Sequence, residues 1–232
     1  MRRRASIACA SLATILCAAA AGEAPDNPPP GVARGAIKLP QPALTGTTSV
    51  EEALNRRRSV REYSHEPLTP KELSQLLWAA QGISSPDGKR TAPSAGAIYP
   101  LRLYVVVADV MSLSPGIYAY RPQTHALDNV AGGHVMSDVA AAAFGQTWMR
   151  TAPAVIVIAA DDDMTTRKYG SRGKRFVHIE VGHAAQNVYL QATAFNLATV
   201  MVGAFDEAQV ASILRLPQAE QPLALLPVGR PK

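Results

Sequence analysis

The run of seven apolar residues at positions 154–160, AVIVIAA, constrains the fold more than any other part of the sequence. Its length is typical of a β-strand. Because it does not alternate with polar residues, it predicts a strand that is buried on both faces of a sheet. Such a strand needs neighbouring strands and a covering layer on each face. Shorter strand-like segments lie at residues 101–109, 116–120, 126–127, 199–202 and 223–228.

Helical patterns separate these strands. The clearest begins with Thr69 as the N-cap, followed by Pro70 at the first position and Glu72, which completes a capping box. Gly82 ends this helix. Further helices are predicted to start at Ser49 and to cover residues 135–144, 176–196 and 208–214. Strands separated by helices indicate a layered α/β or α+β fold.

Residues 1–22 have the features of a secretory signal peptide. Three arginines at positions 2–4 precede a modestly apolar stretch, residues 5–16, and a small-residue segment, residues 17–22. The apolar stretch is too short and too rich in alanine to favour the alternative, a membrane anchor. We therefore expect an exported, periplasmic protein. The sequence leaves open whether the route is general secretion or twin-arginine export.

The remaining chain divides into an arm and a domain. Residues 23–46 are rich in proline, which predicts an extended, largely solvated arm, and residues 47–232 form the predicted folded domain. Cys9 and Cys17 both lie in the removable segment, so the mature chain has no thiol for a disulfide or a nucleophile. Without the three N-terminal arginines, 20 basic residues face 18 acidic ones, which gives no basis for nucleic-acid binding.

Two segments have the composition of a ligand site. Residues 56–61, RRRSVR, place guanidinium groups and a hydroxyl at a predicted helix end, where they can bind a phosphate. The alternative for this run is a solvated basic helix terminus. Residues 91–100, TAPSAGAIYP, form a small-residue loop that lets the backbone approach a flat ligand closely. This loop has no G-x-G-x-x-G motif that opens a helix, so a Rossmann site is disfavoured.

The chain resembles the SagB/ThcOx-type branch of the nitroreductase-like flavoproteins in seven segments that occur in the same order: RRSVREY, LTPKELSQLLWAAQGI, RTAPSAGAIYPLRLYVVV, PGIYAY, RKYG, IEVGHAAQNVYLQA and LLPVGRP. The resemblance covers residues 49–231. It implies an α+β fold with a central, mostly antiparallel sheet flanked by helices. It also implies an intertwined homodimer in which both chains build each FMN site.

The implied activity is a two-electron oxidation or reduction of a small molecule or a peptide-derived heterocycle. The alternatives are an azoline-type oxidase and a flavin-binding protein without enzymatic activity. In each case the flavin is the redox group, and the protein positions the substrate and tunes the ring.

The resemblance also implies which residues bind FMN. The phosphate and ribityl chain are matched by Arg57, Arg58, Ser59 and Arg61, and from the C-terminal end by Gly229 and Arg230. The loop beside the ring is matched by Pro93, Ser94, Ala95, Gly96 and Ala97. The dimethylbenzene and N5 side of the ring is matched by Gly203 and Ala204. Since common nitroreductases have asparagine in place of Ala97, one polar contact to the ring is missing or supplied elsewhere.

Lys168 and Tyr169 are the candidate catalytic residues. They follow three aspartates, residues 161–163, in a segment that we interpret as a polar loop leading into the long helix. The resemblance to azoline dehydrogenases implies that the pair removes a proton while the flavin accepts hydride, and a base is needed for that step. The basic residues around the pair leave an alternative open, in which Lys168 is a phosphate-binding or surface group.

Three polar residues share one face of the long predicted helix. Glu180, His183 and Asn187 are spaced at i, i+3 and i+7, and apolar residues border them. Because buried polar groups need partners, this pattern favours a hydrogen-bond network at a dimer interface over a catalytic triad. The sequence lacks the H-E-x-x-H spacing, so no metal site is predicted.

We expect the mature protein to begin between Cys17 and Glu23, because the small-residue segment offers an A-x-A cleavage site after a charged and apolar start. Intact-mass analysis of the protein recovered from the periplasm measures this directly. A mass that retains Met1 or Arg2 would exclude cleavage.

Overall fold

The computed structural model describes residues 35–232, so the predicted signal peptide and most of the proline-rich arm lie outside the described residues. The strands are β1 Ile37–Lys38, β2 Leu101–Val107, β3 Gly116–Arg121, β4 Ala126–Gly132, β5 Ala154–Ala160, β6 Ala198–Thr199 and β7 Gln221–Gly229. They form one sheet in the order β1-β4-β3-β2-β5-β7-β6. Every neighbouring pair is antiparallel. The predicted α+β fold with a mostly antiparallel sheet is therefore confirmed.

Strand β5 lies inside the sheet, between β2 and β7, as the apolar run predicts. All seven of its residues are buried. Ile156 is opposite Val105 on one side and Leu226 on the other. Alternate side chains enter two different core layers, Ile156 on one face and Val157 on the other. The absence of polar residues in this strand follows from this two-sided burial.

Helices cover both faces of the sheet. They are α1 Val50–Arg56, α2 Pro70–Gln81, α3 Met136–Ala142, α4 Asp162–Tyr169, α5 Arg172–Ala194 and α6 Glu207–Leu214. The core layer that contains Ile156 includes the apolar faces of α2 and α5, and the other layer includes those of α3 and α6. Within residues 35–232, no helix combines the length and the apolar character needed to cross a membrane.

The predicted start of α2 is confirmed in detail. The Thr69 hydroxyl accepts a hydrogen bond from the backbone N–H of Glu72 at 3.2 Å, and the Glu72 carboxylate accepts one from the backbone N–H of Thr69 at 2.8 Å. These reciprocal bonds satisfy two amide groups that the first helical turn leaves without partners.

The predicted strand at residues 199–202 is shorter in the structure, where β6 has only two residues, Ala198–Thr199.

The last part of the predicted arm is packed against the domain. Strand β1 pairs with β4, and Leu39 is buried in the core. Further along, the backbone N–H of Ala43 donates to the side chain of Gln75 at 2.8 Å, and Gln75 donates back to the Ala43 carbonyl at 3.0 Å. This segment therefore joins the sheet edge to α2.

The prediction that Lys168 and Tyr169 lie in a polar loop was wrong, because both belong to α4. The reason is local: the Asp161 side chain accepts a hydrogen bond from the backbone N–H of Asp163 at 3.0 Å and so caps the helix. The long helix also begins earlier than predicted, at Arg172.

Gly173 allows α4 and α5 to pack closely. A Cβ atom at this position would lie 2.7 Å from both the Cα and the N atom of Thr166. These are backbone atoms of α4, so they cannot move without displacing the helix that carries Lys168 and Tyr169. A residue without a side chain is needed here because of this contact.

We expect Gly173→Ala to lower the free energy of unfolding by about 1–3 kcal/mol, the usual cost of forcing an extra methyl group into a packed contact. Chemical denaturation measures the change. Ser171→Ala is the matched control. Ser171 is exposed and its side chain makes no helix cap, so its replacement is expected to shift stability by no more than about 0.5 kcal/mol. Equal stability of the two variants would contradict the proposed contact.

Candidate functional site

Tyr189 of α5 joins two segments that the sequence places in the cofactor site. The hydroxyls of Ser59 and Tyr189 are 3.1 Å apart. The Tyr189 oxygen also accepts a hydrogen bond from the backbone N–H of Met201 at 2.8 Å, just before Gly203. The Ser59 segment is fixed as well by a bond of 3.1 Å from the Val60 N–H to the Thr199 carbonyl. We call Arg57, Arg58, Ser59 and Tyr189 the Tyr189 cluster.

Arg58 and Tyr189 of this cluster line a cavity. The Arg57 guanidinium lies 5.1 Å from the centre of the Tyr189 ring. Arg58 donates to the backbone carbonyls of Asn55 and Arg57, at 2.8 and 2.7 Å, where α1 ends. The cavity has a volume of about 240 Å³, and its lining includes Arg56, Arg58, Tyr189, Asn196, Thr199 and Pro231. Arg61 is exposed.

Arg230 has carboxylate partners of its own. Its guanidinium lies 3.0 Å from Glu66 and 2.9 Å from Glu72. The neighbouring Gly229 is buried, and a Cβ atom there would lie 2.8 Å from the Cδ of Pro153. The structure thus gives both residues packing or ion-pair contacts, and their role at the FMN phosphate stays a prediction.

The small-residue loop forms a second cluster around Gly96. The backbone N–H of Ala95 donates to the Glu180 carboxylate at 2.8 Å, and the Ser94 hydroxyl accepts from the backbone N–H of Tyr99 at the same distance. Ala97 has a φ of 55°, in the left-handed region that a residue with a side chain seldom adopts. The surrounding hydrogen bonds hold the loop in this conformation. Pro93, Gly96 and Ala97 are exposed.

Lys168 and Tyr169 converge on this loop from α4. A Cβ atom at Gly96 would lie 2.7 Å from the Nζ of Lys168 and 2.6 Å from the hydroxyl oxygen of Tyr169. The Tyr169 ring packs edge-on against Phe176, with 5.1 Å between the ring centres. The structure thus brings the predicted catalytic pair to the predicted flavin loop, and a side chain at position 96 would displace the ends of both side chains. We call Ser94, Gly96, Lys168, Tyr169 and Glu180 the Gly96 cluster.

The polar face predicted for α5 supports the small-residue loop within one chain. Glu180 is buried, and burial raises the pKa of its carboxyl while the hydrogen bond from the Ala95 backbone opposes that shift. The Asn187 amide donates to the carbonyls of Ala79 and Thr91 at 2.9 and 3.3 Å. His183 is exposed, and its charge also opposes the rise in the pKa of Glu180. The network at a dimer interface stays a prediction.

The two clusters lie at different places on the molecule. Glu180 and Tyr189 are nine residues apart on α5, which corresponds to about 13.5 Å along the helix axis and about two and a half turns. They therefore point to opposite sides of the helix.

Gly203 and Ala204, which the resemblance assigns to the dimethylbenzene and N5 side of the ring, are exposed. The Ala204 carbonyl accepts a hydrogen bond from the Gln146 side chain at 3.2 Å.

Sequence reasoning missed Tyr189. A tyrosine beside the buried Val188 of the long helix carries a hydroxyl that needs a partner, and this was the available signal. Its partners, Ser59 and Met201, are distant in the sequence, so the sequence alone could not indicate which residues the hydroxyl contacts.

In the part of the chain that the structure describes, no group of three or more histidine, cysteine, aspartate or glutamate side chains is arranged to hold a metal ion.

Comparison with known proteins agrees with this architecture. A protein of Methanocaldococcus jannaschii, named as a candidate nitroreductase, is 49% identical over 78% of this chain and 90% of its own length. The structure of a candidate nitroreductase from Ralstonia eutropha matches 87% of this chain and 93% of that chain, with a TM-score of 0.75 and 29% identity.

One chain of the E. coli microcin synthetase complex McbBCD, solved with truncated pro-MccB17 bound, has the same fold. It matches 83% of this chain and 77% of its own, with a TM-score of 0.68 and 23% identity. The family model described as the nitroreductase family matches residues 54–230. The chain therefore belongs to the nitroreductase family and is an oxidoreductase.

Proposed function

We propose that this protein is an FMN-dependent two-electron oxidoreductase of the SagB type, acting on a small molecule or a peptide-derived heterocycle. The observation that carries the proposal is the convergence of Lys168 and Tyr169 on Gly96, in a loop whose backbone is open to a flat ligand. Members of the nitroreductase family typically bind a flavin. The same Lys-Tyr pair favours an azoline-type oxidase as the second candidate.

The Tyr189 cluster fits a phosphate group. Arg58 lines the cavity, Arg57 lies over the Tyr189 ring, and Ser59 supplies a short hydroxyl donor. Guanidinium groups bind phosphate oxygens through charge-assisted hydrogen bonds, which are stronger than bonds between neutral groups. Arg61 is exposed, and its contact with the same phosphate stays a prediction. We assign this cluster to the FMN phosphate and ribityl chain.

The Gly96 cluster fits the reacting end of the site. FMN, when bound, supplies the two-electron acceptor and donor chemistry. Around it, Glu180 holds the loop through the Ala95 N–H, so that the exposed backbone at Gly96 and Ala97 keeps its shape. Lys168 and Tyr169 present an amine and a phenol hydroxyl at one point, where they can take a proton from the substrate or return one to it.

We propose that the active form is a homodimer in which each flavin is shared. The clusters face opposite sides of α5, so a site that uses both is completed by a second copy of the chain. Two exposed apolar side chains support this proposal: Ile179, 45% exposed beside Glu180, and Met201, 42% exposed beside the Tyr189 cluster. Export to the periplasm is a separate proposal that rests on residues 1–22.

We expect Arg58→Ala to weaken FMN binding about tenfold or more, because one charge-assisted contact contributes about 1.5–3 kcal/mol. Fluorescence titration of the apoprotein with FMN and with riboflavin measures the two affinities. Riboflavin, which lacks the phosphate, is expected to bind almost as before. Arg150→Ala removes an exposed arginine outside the cavity lining and serves as the control.

Equal losses for FMN and riboflavin in Arg58→Ala would contradict a phosphate contact. Arg230→Ala tests the second predicted contact in the same assay. A loss of FMN affinity alone would support that prediction. A loss of stability with equal effects on both ligands would assign Arg230 to its ion pairs with Glu66 and Glu72.

We expect Lys168→Met and Tyr169→Phe to retain FMN but to slow turnover by about 10²–10⁴-fold, the range of general acid–base catalysis. Both changes keep the apolar part of the side chain, including the Tyr169 ring on Phe176. If the two groups act as a unit, the double variant is little slower than either single variant.

Single-turnover flavin reduction, normalised to bound FMN, measures this with the fastest donor from an anaerobic screen. His178→Ala, an exposed neighbour on α5, is the control and is expected to keep the wild-type rate. Unchanged rates in both Lys168→Met and Tyr169→Phe would remove the pair from the reaction. Binding of FMN without reduction by any donor would support a flavin-binding protein without enzymatic activity.

A further inference from the structure

The end of α4 and the start of α5 carry an unusual concentration of positive charge. Five basic residues occur within nine positions: Arg167, Lys168, Arg172, Lys174 and Arg175. All five are exposed. Residues 164–179 contain no acidic residue. Within the described residues, none of the five has an ion-pair partner, whereas other arginines, such as Arg121 and Arg230, are paired. We call Arg172, Lys174 and Arg175 the basic rim.

Helix stability does not explain the basic rim. The N-terminal end of a helix carries partial positive charge, so cations there are unfavourable and acidic residues are preferred. The first turn of α5 has no acidic residue, and Ser171 makes no side-chain cap. By contrast, α4 starts with two aspartates in its first turn and an aspartate cap. The positive charge of the basic rim is therefore unfavourable for the stability of α5.

The position of the basic rim links it to the candidate catalytic centre. Only three residues separate Lys168, whose Nζ reaches the space over Gly96, from Arg172. Tyr169 contacts Phe176, the residue that follows Arg175. Arg172 therefore begins α5 at the end of the helix where Lys168 and Tyr169 lie, and Arg175, three residues on, shares its side of the helix. Lys174 lies on another side and adds to the local positive charge. A region of one charge sign at the edge of a site attracts ligands of the opposite sign and raises their association rates by roughly 10–10³-fold.

We propose that the basic rim binds an anionic group, a carboxylate or a phosphate, on the small molecule that reacts at the Gly96 cluster. The proposal rests on the proposed function, since it names the substrate class for that site. The rim binds the anion at the edge, and the uncharged reactive part of the molecule extends toward Gly96. Neutral molecules of the same shape bind less well.

A rim variant tests the proposal against a control of equal charge. The rim variant is Arg172→Gln, Lys174→Gln and Arg175→Gln together; glutamine has a helix propensity similar to that of lysine and arginine. The control is Lys38→Gln, Lys71→Gln and Arg150→Gln, which removes three exposed cations from other parts of the surface. Both variants lose three positive charges, so a difference between them reports position and not net charge.

The first measurement is equilibrium binding to the oxidised holoenzyme. Benzoate, phenyl phosphate and benzamide are titrated against the flavin absorbance spectrum at two salt concentrations. We expect both anions to bind more tightly than benzamide to the wild type, with a preference that falls as salt rises. The rim variant is expected to lose about tenfold of this preference, and the control is expected to keep it. Tighter binding of benzoate than of phenyl phosphate, despite its lower charge, would identify the carboxylate as the natural group.

The second measurement uses reaction rates. Holoenzyme reduced anaerobically with one equivalent of dithionite is mixed with 4-nitrobenzoate or its neutral analogue, 4-nitrobenzamide. Each reduction delivers two electrons and two protons to the nitro group, which gives a nitroso compound and water. We expect the rate ratio of the anionic to the neutral acceptor to fall about tenfold in the rim variant only. The rate with 4-nitrobenzamide is expected to be equal in all three proteins.

Two results would overturn the inference: an unchanged anion preference in the rim variant, or an equal loss in the control. Failure of the proposed function gives a different result. In that case the reduced wild-type protein transfers no electrons to 4-nitrobenzamide, while the binding titrations still report whether the rim selects anions.

Discussion

Burial of β5 on both faces is the constraint on which the rest of the structure depends. Each large aliphatic side chain of this strand contributes about 1.5–3 kcal/mol when it leaves water, but only if both faces of the sheet are covered. The chain meets this requirement with α2 and α5 on one face and α3 and α6 on the other. Helix α5 is the longest element of the cover, and its packing fixes its rotation about its own axis.

That fixed rotation determines where the functional groups lie. The apolar residues Val177, Val181 and Val188 face the core, so Glu180 and Tyr189 are held in set directions on either side of the helix. Glu180 then holds the loop around Gly96, and Tyr189 holds the segments around Ser59 and Met201. One buried helix face thus positions both the Gly96 cluster and the Tyr189 cluster.

Two glycines make the Gly96 cluster possible at close range. Gly173 lets α4 lie against α5, and Gly96 leaves room for the amine of Lys168 and the hydroxyl of Tyr169. The contact at Gly173 is with backbone atoms of α4, whereas a side chain at position 96 would displace the flexible ends of Lys168 and Tyr169. The positive charge beside this cluster has no partner among the described residues, and helix electrostatics disfavours it at the start of α5. Close backbone contact and uncompensated charge therefore occur together at one end of α5.

The sequence by itself determined the elements whose causes are local. The apolar run at 154–160 required a two-sided strand, and Thr69, Pro70 and Glu72 specified the start of α2, because both patterns act within a few residues. The ordered motifs indicated the family and a set of candidate site residues, of which the structure gathers some into the Tyr189 cluster and others into the Gly96 cluster. Lys168 and Tyr169 lie in a helix and not in the predicted loop, because the side chain of Asp161 caps the start of α4.

Only the tertiary structure decided which distant residues meet. It brought Lys168 and Tyr169 to Gly96, gave Tyr189 its partners, and paired Arg230 with Glu66 and Glu72. Periodicity reports which face of an element is buried, but not which loop of the chain lies against the other face. That choice depends on how helices pack on the two sides of the sheet, and it is made by contacts between residues far apart in the chain.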